Sequence, residues 1–207
     1  MNPFLSFIIR TSVALPTAFI VLPVSFFAFG QTLLLSSAIS VGGGAVAFLG
    51  TGVYTKHRFL KKHQLTRKEY VYIKKNLKEA KPKIARLNKS LFKIRHIPSL
   101  KERIDVLRVT RKIYRLTKME PKRFYKAEPF YFSHLDSILE LTEKYAFLAS
   151  QPKKNHELEL SLNETRRTLS ELAQILENDL HQVISDDIDH LNFEIDVAKN
   201  TINTLKK

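Results

Sequence analysis

The densest run of residues able to do chemistry is Asp186-Asp187-Ile188-Asp189-His190. On a helix Asp187 and Asp186 lie three and four residues before His190 and share its face, with Glu194 one turn beyond. Carboxylates beside an imidazole can ligate a divalent cation or move a proton. A di-metal bundle needs an acid-x-x-His pair on each of two helices and two further carboxylates. The chain offers one such pair, so the run reads as a polar helix face with a capping Asp. No metal and no cofactor is expected from it.

Phosphoryl chemistry needs cations to stabilise charge and a placed nucleophile or water. Lys and Arg between residues 101 and 123 could hold a phosphate. Asp186, Asp187, Asp189, His190 and His134 are the weak catalytic candidates beside them. No HExxH, GxSxG or Walker-type loop accompanies them. The absence of Cys excludes a thiolate nucleophile, thiolate metal sites and disulfides. All 6 Gly lie between Gly30 and Gly52, which argues against a glycine-rich phosphate loop elsewhere. From its residues alone this chain does not read as an enzyme.

The elements that would position these groups are helical. Residues 11–29 and 31–54 are uncharged and mostly apolar, each long enough to cross a bilayer. The spacing predicts a transmembrane helical hairpin over residues 1–55, turning at Gly30-Gln31. A cleaved signal peptide has a much shorter apolar core and fits less well; one span with a re-entrant piece is the other alternative. Lys56, Arg58, Lys61, Lys62, Arg67 and Lys68 follow directly and Arg10 flanks the first span. Basic flanks stay in the cytoplasm. A multi-pass cell-membrane protein with both termini cytoplasmic is therefore expected. Ser36, Ser40 and Gly44, with Gly43 and Ala47, place small residues at the spacing that lets helices approach closely. They read as packing within the hairpin, or as a face for self-association.

Residues 56–207 are expected to be cytoplasmic. Tyr70, Ile73, Leu77, Ala80, Ile84, Leu87, Leu91 and Ile94 form one apolar stripe, which Pro82 should kink or divide. Ser99-Leu100-Lys101-Glu102 looks like a capping box that opens a second helix. Met119-Glu120-Pro121 closes it. Glu128-Pro129 opens a third, closed by Gln151-Pro152. Leu158 to Val183 and Ile188 to Leu205 carry two further stripes, on one helix or two. No window shows the strand period with turn signals. The fold class is all-α: a membrane hairpin followed by an antiparallel helical bundle or coiled-coil hairpin.

Charge is divided along the chain. Residues 56–128 hold 25 Lys and Arg against 6 Asp and Glu, whereas residues 129–207 hold 8 against 14. The opposite blocks should pack with complementary edges. The surplus of positive charge suits a solvated helix surface and anionic lipid heads near Lys56 to Lys68. It suits nucleic acid less well, because Tyr70, Tyr72, Phe92 and Tyr114 fall on or beside the apolar stripes and no nucleic-acid motif is visible.

Taken in order, several segments carry a resemblance. They are Lys78-Glu79-Ala80-Lys81, Glu120-Pro121-Lys122-Arg123, Phe130-Tyr131-Phe132, Leu135-Asp136-Ser137-Ile138, Glu143-Lys144-Tyr145 and residues 189–197. With the hairpin before them, the chain resembles the XpaC-like proteins of bacteria, the bromo-chloro-indolyl phosphate hydrolysis family. The resemblance implies a membrane-associated protein linked to hydrolysis of a chromogenic phosphate ester. It also implies partnership with TelA-like helical proteins of toxic-anion resistance. It carries no catalytic residues onto this sequence. The expected partners are membrane lipids, a TelA-like protein and a second copy of the chain.

Overall fold

The computed structural model describes residues 3–30, 32–94, 100–152 and 155–205. Among them every regular element is helical. The chain forms two compact units, Met1–Arg67 and Lys68–Lys207.

The first unit is a pair of long helices, α1 (Pro3–Phe29) and α2 (Leu33–Lys62). Gly30 adopts φ +60 between them, a left-handed conformation that glycine takes without strain. Both helices are long and apolar enough to cross a membrane. Their outer faces are bare: Phe19 is 77% exposed and Leu34 85%. Small residues form the seam between them. A Cβ on Gly44 would stand 3.2 Å from the Ala18 Cβ, and one on Gly43 would touch Val21. The Ser40 hydroxyl donates across the seam to the Ala18 carbonyl at 2.6 Å. Ser36 is fully buried and Ala47 half-buried. Gly52 leaves the space that the Arg10 guanidinium fills, with Arg10 set over the Phe48 ring.

α2 continues past Tyr54 into the basic residues. It ends in a left-handed turn at Gln64 (φ 50). There the Leu65 N–H donates to the Leu60 carbonyl and the Gln64 N–H to that of Lys61, while both leucines are buried. Those two bonds and that apolar contact make up a helix-stopping motif.

The second unit contains α3 (Arg67–Lys93), which begins at the boundary, α4 (Leu100–Met119), α5 (Leu135–Ala149), α6 (His156–Val183) and α7 (Ser185–Leu205). The sequence stripe of α3 is its buried face: Ile73, Leu77, Ala80, Ile84, Leu87 and Leu91 all lie inside. Pro82 does not divide the helix. It sits on the exposed side, so the carbonyl it leaves without a donor is open to water. The expected stop at Ile97-Pro98 and the Ser99 cap lie outside the described residues. Asn155 caps α6 by accepting from the Leu158 N–H at 2.9 Å, and Glu157 and Glu159 suit its positive end.

α3, α4, α5 and α6 share one core. Leu91, Val106, Ile138, Thr142 and Leu169, drawn from all four, line a small cavity of about 40 Å³. The charge blocks meet as expected at their edges, where Lys83 pairs with Asp136 and Arg86 with Glu143.

The passage from α4 to α5 departs from the α-helical period. Pro121–Ala127 is a 3₁₀ helix and Phe130–His134 a π turn. Phe124, Phe130 and Tyr131 are buried there, with Phe124 stacked on Tyr131 at 4.8 Å. A tighter turn and then a wider one bury three aromatic rings within eight residues.

Replacing Gly44 with Leu should force the two helices of the hairpin apart and cost about 1–3 kcal/mol, the usual range for overpacking. Denaturation of the detergent-solubilised chain in increasing SDS, followed by circular dichroism, checks this; Gly50→Leu, where nothing lies within 4 Å, is the control.

Candidate functional site

The polar residues of the second unit converge at the C-terminal end of α6. Two turns of that helix matter. Asp179 and Val183 are four residues apart on its buried face. The 3₁₀ and π segments pack against this face and bring one basic group to each turn.

His134 ends the π turn. Its Nδ1 lies 2.7 Å from Asp179 Oδ2. The carboxylate is nearly closed from solvent, with its side chain 6% exposed, whereas the imidazole is 25% exposed. Burial pushes the Asp179 carboxyl above its ordinary range, and the pairing with His134 opposes that rise. An ionised Asp179 accepts from Nδ1, which leaves Nε2 as the nitrogen not committed to the pair. That is the geometry of an oriented general base. No Ser or Thr hydroxyl among the described residues is hydrogen-bonded to His134.

Arg123 stands on the 3₁₀ helix. Its guanidinium donates to both oxygens of Asp187 at 2.7 and 2.8 Å, to the Val183 carbonyl at 3.0 Å and to Glu120 at 2.7 Å. The side chain is only 16% exposed. Its hydrogen bonds to Asp187 are the main reason that Asp187 is held below the usual carboxylate range and that Arg123 is more basic than usual. Lys126, one turn on, donates to the Ser185 hydroxyl and to Asp186.

The helix therefore breaks where these cations reach it. Ile184 separates α6 from α7, with φ −104 and ψ 7. Its N–H is shared between the Leu180 and His181 carbonyls, and its own carbonyl accepts from Asp187. Two helices, not one, occupy residues 156–205.

The candidates from the sequence thus fall into two groups. Asp186 and Asp187 are ion-paired, holding α7 to the 3₁₀ helix. Asp189 and His190 are exposed on α7, with His190 3.9 Å from Glu194. Among the described residues no group of three His, Asp or Glu side chains could hold a metal ion. His134 stands with Asp179, a residue that sequence reasoning passed over. The signal was weak: an acid on the buried stripe between Leu176 and Val183.

The cations are arranged differently. Lys56, Arg58, Lys61, Lys62, Arg67 and Lys68 are all exposed. On α4, Arg108, Arg111, Lys112 and Arg115 rim an open groove whose floor includes Phe92, Ile104 and Leu107.

Comparison with known proteins agrees with this architecture in extent. Residues 8–198 match the family model described as 5-bromo-4-chloroindolyl phosphate hydrolysis protein. The chain belongs to this family. Protein XpaC of Bacillus subtilis (strain 168) is a relative, 48% identical over 203 residues, which span 98% of this chain and 99% of that protein. The family match takes in the hairpin as well as the helical core, so the two units travel together. No solved structure matches the chain.

Arg123→Ala should cost about 2 kcal/mol, the usual scale for losing hydrogen bonds to charged groups. Asp179→Asn keeps the shape and sheds the burial penalty, so it should stay within about 1 kcal/mol of the parent. The two carboxylates have opposite pH signs. The Asp187 pairing stabilises the fold above the ordinary carboxylate range and is lost as pH falls through its lowered value. Asp179 burial works against the fold as pH rises from the ordinary range through its raised value. Urea unfolding of the full chain in detergent, at neutral pH and below about pH 4, checks both: the Arg123→Ala deficit should shrink in acid.

Proposed function

We propose that this chain is a non-catalytic, membrane-anchored helical interaction protein of the bacterial inner leaflet. The observation that carries the reading is the bare apolar surface of α1 and α2, followed directly by six exposed cations. An exposed apolar patch of this extent marks a membrane or a partner. Lys56 to Lys68 sit where anionic lipid heads attract basic residues, each worth about 1 kcal/mol near the surface. Both termini are cytoplasmic in this reading. The second unit is a helical bundle that offers the basic groove on α4 to an acidic, amphipathic segment. The family resemblance supports a TelA-like helical protein of toxic-anion resistance as the partner in this reading. Nucleic acid fits this groove less well, because its apolar floor is formed by aliphatic side chains and one Phe.

The acidic candidates support the non-catalytic side of the reading. Arg123 and Lys126, the cations beside the acidic candidates, are already engaged by Asp187 and Asp186. A substrate would have to displace both. One observation favours a second reading, hydrolysis of 5-bromo-4-chloroindolyl phosphate or a similar ester, as the family description has it. The His134–Asp179 pair could activate a water.

Alkaline carbonate should leave the chain in the membrane pellet. Single cysteines at His57 and Asn200 should react with an impermeant maleimide only in inverted vesicles; extraction by carbonate would overturn the anchor. Binding of an acidic partner helix should weaken several-fold from low salt to about 1 M, where the Debye length falls to about 3 Å.

Purified full-length chain, with or without divalent metal, should not cleave 5-bromo-4-chloroindolyl phosphate above background. Turnover abolished by His134→Ala and by Asp179→Asn would establish the second reading instead.

A further inference from the structure

Among the described residues of the second unit, nothing covers the apolar side of α7. Beyond its first turn, every residue from 188 to 204 is exposed. Yet Ile188, Leu191, Ile195, Ala198 and Ile202 recur at alternating steps of three and four, and Leu205 continues the pattern in the sequence. Leu191 is 58% exposed and Ile202 51%. A strict three–four alternation makes a narrow seam, the pattern of a coiled coil rather than of a helix laid on a globular core.

The residue types in the seam select the assembly. Counting heptads with Ile188 at position a, Ile195 and Ile202 also fall at a, and Leu191, Ala198 and Leu205 fall at d. β-Branched residues at a with Leu at d favour two parallel strands. The flanking charges agree. Glu194 falls at g and Lys199 at e, five residues on. In a parallel, in-register pair, g of one helix meets e of the next heptad on the other, so Glu194 of each copy reaches Lys199 of its partner. In an antiparallel pair over the same seam g meets g and e meets e, which would set Glu194 against Thr201 and Lys199 against Asn192 and leave both charges unpaired. The remaining acids of this stretch, Asp189 and Asp196, fall at b and point away from the seam. A lipid surface is a poor alternative occupant: residues 185–205 carry 5 acidic side chains and 1 basic one, and anionic headgroups repel them.

We propose that α7 pairs with α7 of a second copy of this chain, parallel and in register, through the Ile188–Leu205 seam. The proposal does not depend on the membrane reading or on the absence of catalysis. Arg123 and Lys126 fix the first turn of α7, so the seam leaves the helical core at a defined place in each copy.

The chain contains no cysteine, which makes disulfide trapping clean. The whole chain carrying Leu191→Cys or Ala198→Cys, oxidised in unfractionated cell lysate with copper phenanthroline, should give a crosslinked homodimer in each case. Position d brings like residues within the Cα separation of about 4.4–6.8 Å that a disulfide spans. Asp189→Cys and Phe193→Cys, at b and f, should give little. Ile195→Asp should cut the Leu191→Cys crosslink at least about tenfold, as the loss of a buried apolar contact does. Glu194→Lys should lower the yield, and adding Lys199→Glu should restore it. These substitutions lie outside the shared core, so the helical content of each variant, read by circular dichroism, should match the parent. Equal crosslinking at all four positions, no crosslink at Leu191→Cys in a folded chain, or capture of a partner of different mass there would overturn the proposal.

Discussion

The Arg123 guanidinium ties three segments together, and the layout of the second unit depends on it. It accepts no substitute in kind, because a planar fork is needed to meet both oxygens of Asp187 while another donor reaches the Val183 carbonyl. That carbonyl belongs to the last turn of α6, where the helix has run out of its own donors. Arg123 thus satisfies an orphan acceptor and neutralises the first turn of the next helix in one stroke. The 3₁₀ turn that carries it also buries Phe124. The π turn that follows sets His134 against Asp179 one turn earlier on the same face of α6. The aromatic packing and the ion pairs are therefore two sides of one irregular passage.

The regular parts of this fold were readable because a stripe is a local property. Of the eight positions in the stripe that includes α3, all but Tyr70 are buried. The ends of α4 and α5 fell where Pro121 and Pro152 announced them. Pro82 does not divide α3, because a proline ends a helix only if the freed carbonyl goes unsatisfied, and here solvent is open to it. The 3₁₀ and π turns left no periodic trace at all. The first falls in the gap after Met119-Glu120-Pro121, and the second reads as the opening of the helix that Glu128-Pro129 announces, with extra aromatics.

The polar site was legible only in halves. Asp186 and Asp187 stood out because acids cluster there, but their partners lie about sixty residues upstream, and ion pairing across that distance has no sequence signature. Asp179 was invisible for the opposite reason. A single acid among leucines looks like a solvated position until a basic group from elsewhere closes over it. His134 stood among the catalytic candidates, but nothing in the sequence named its partner. Chemistry that depends on two distant elements meeting is written in the packing, and the composition of either segment alone does not contain it.

The joint at Ile184 is one residue long, anchored on both sides by side chains of the same 3₁₀ helix. An α-helix turns about 100° per residue. One residue inserted after Asp187 would therefore rotate the apolar line of α7 by more than a quarter turn while leaving every anchor in place. The joint thus acts as an angular stop: substitutions along the outer face of α7 change its chemistry, but only a change of length there can re-aim it.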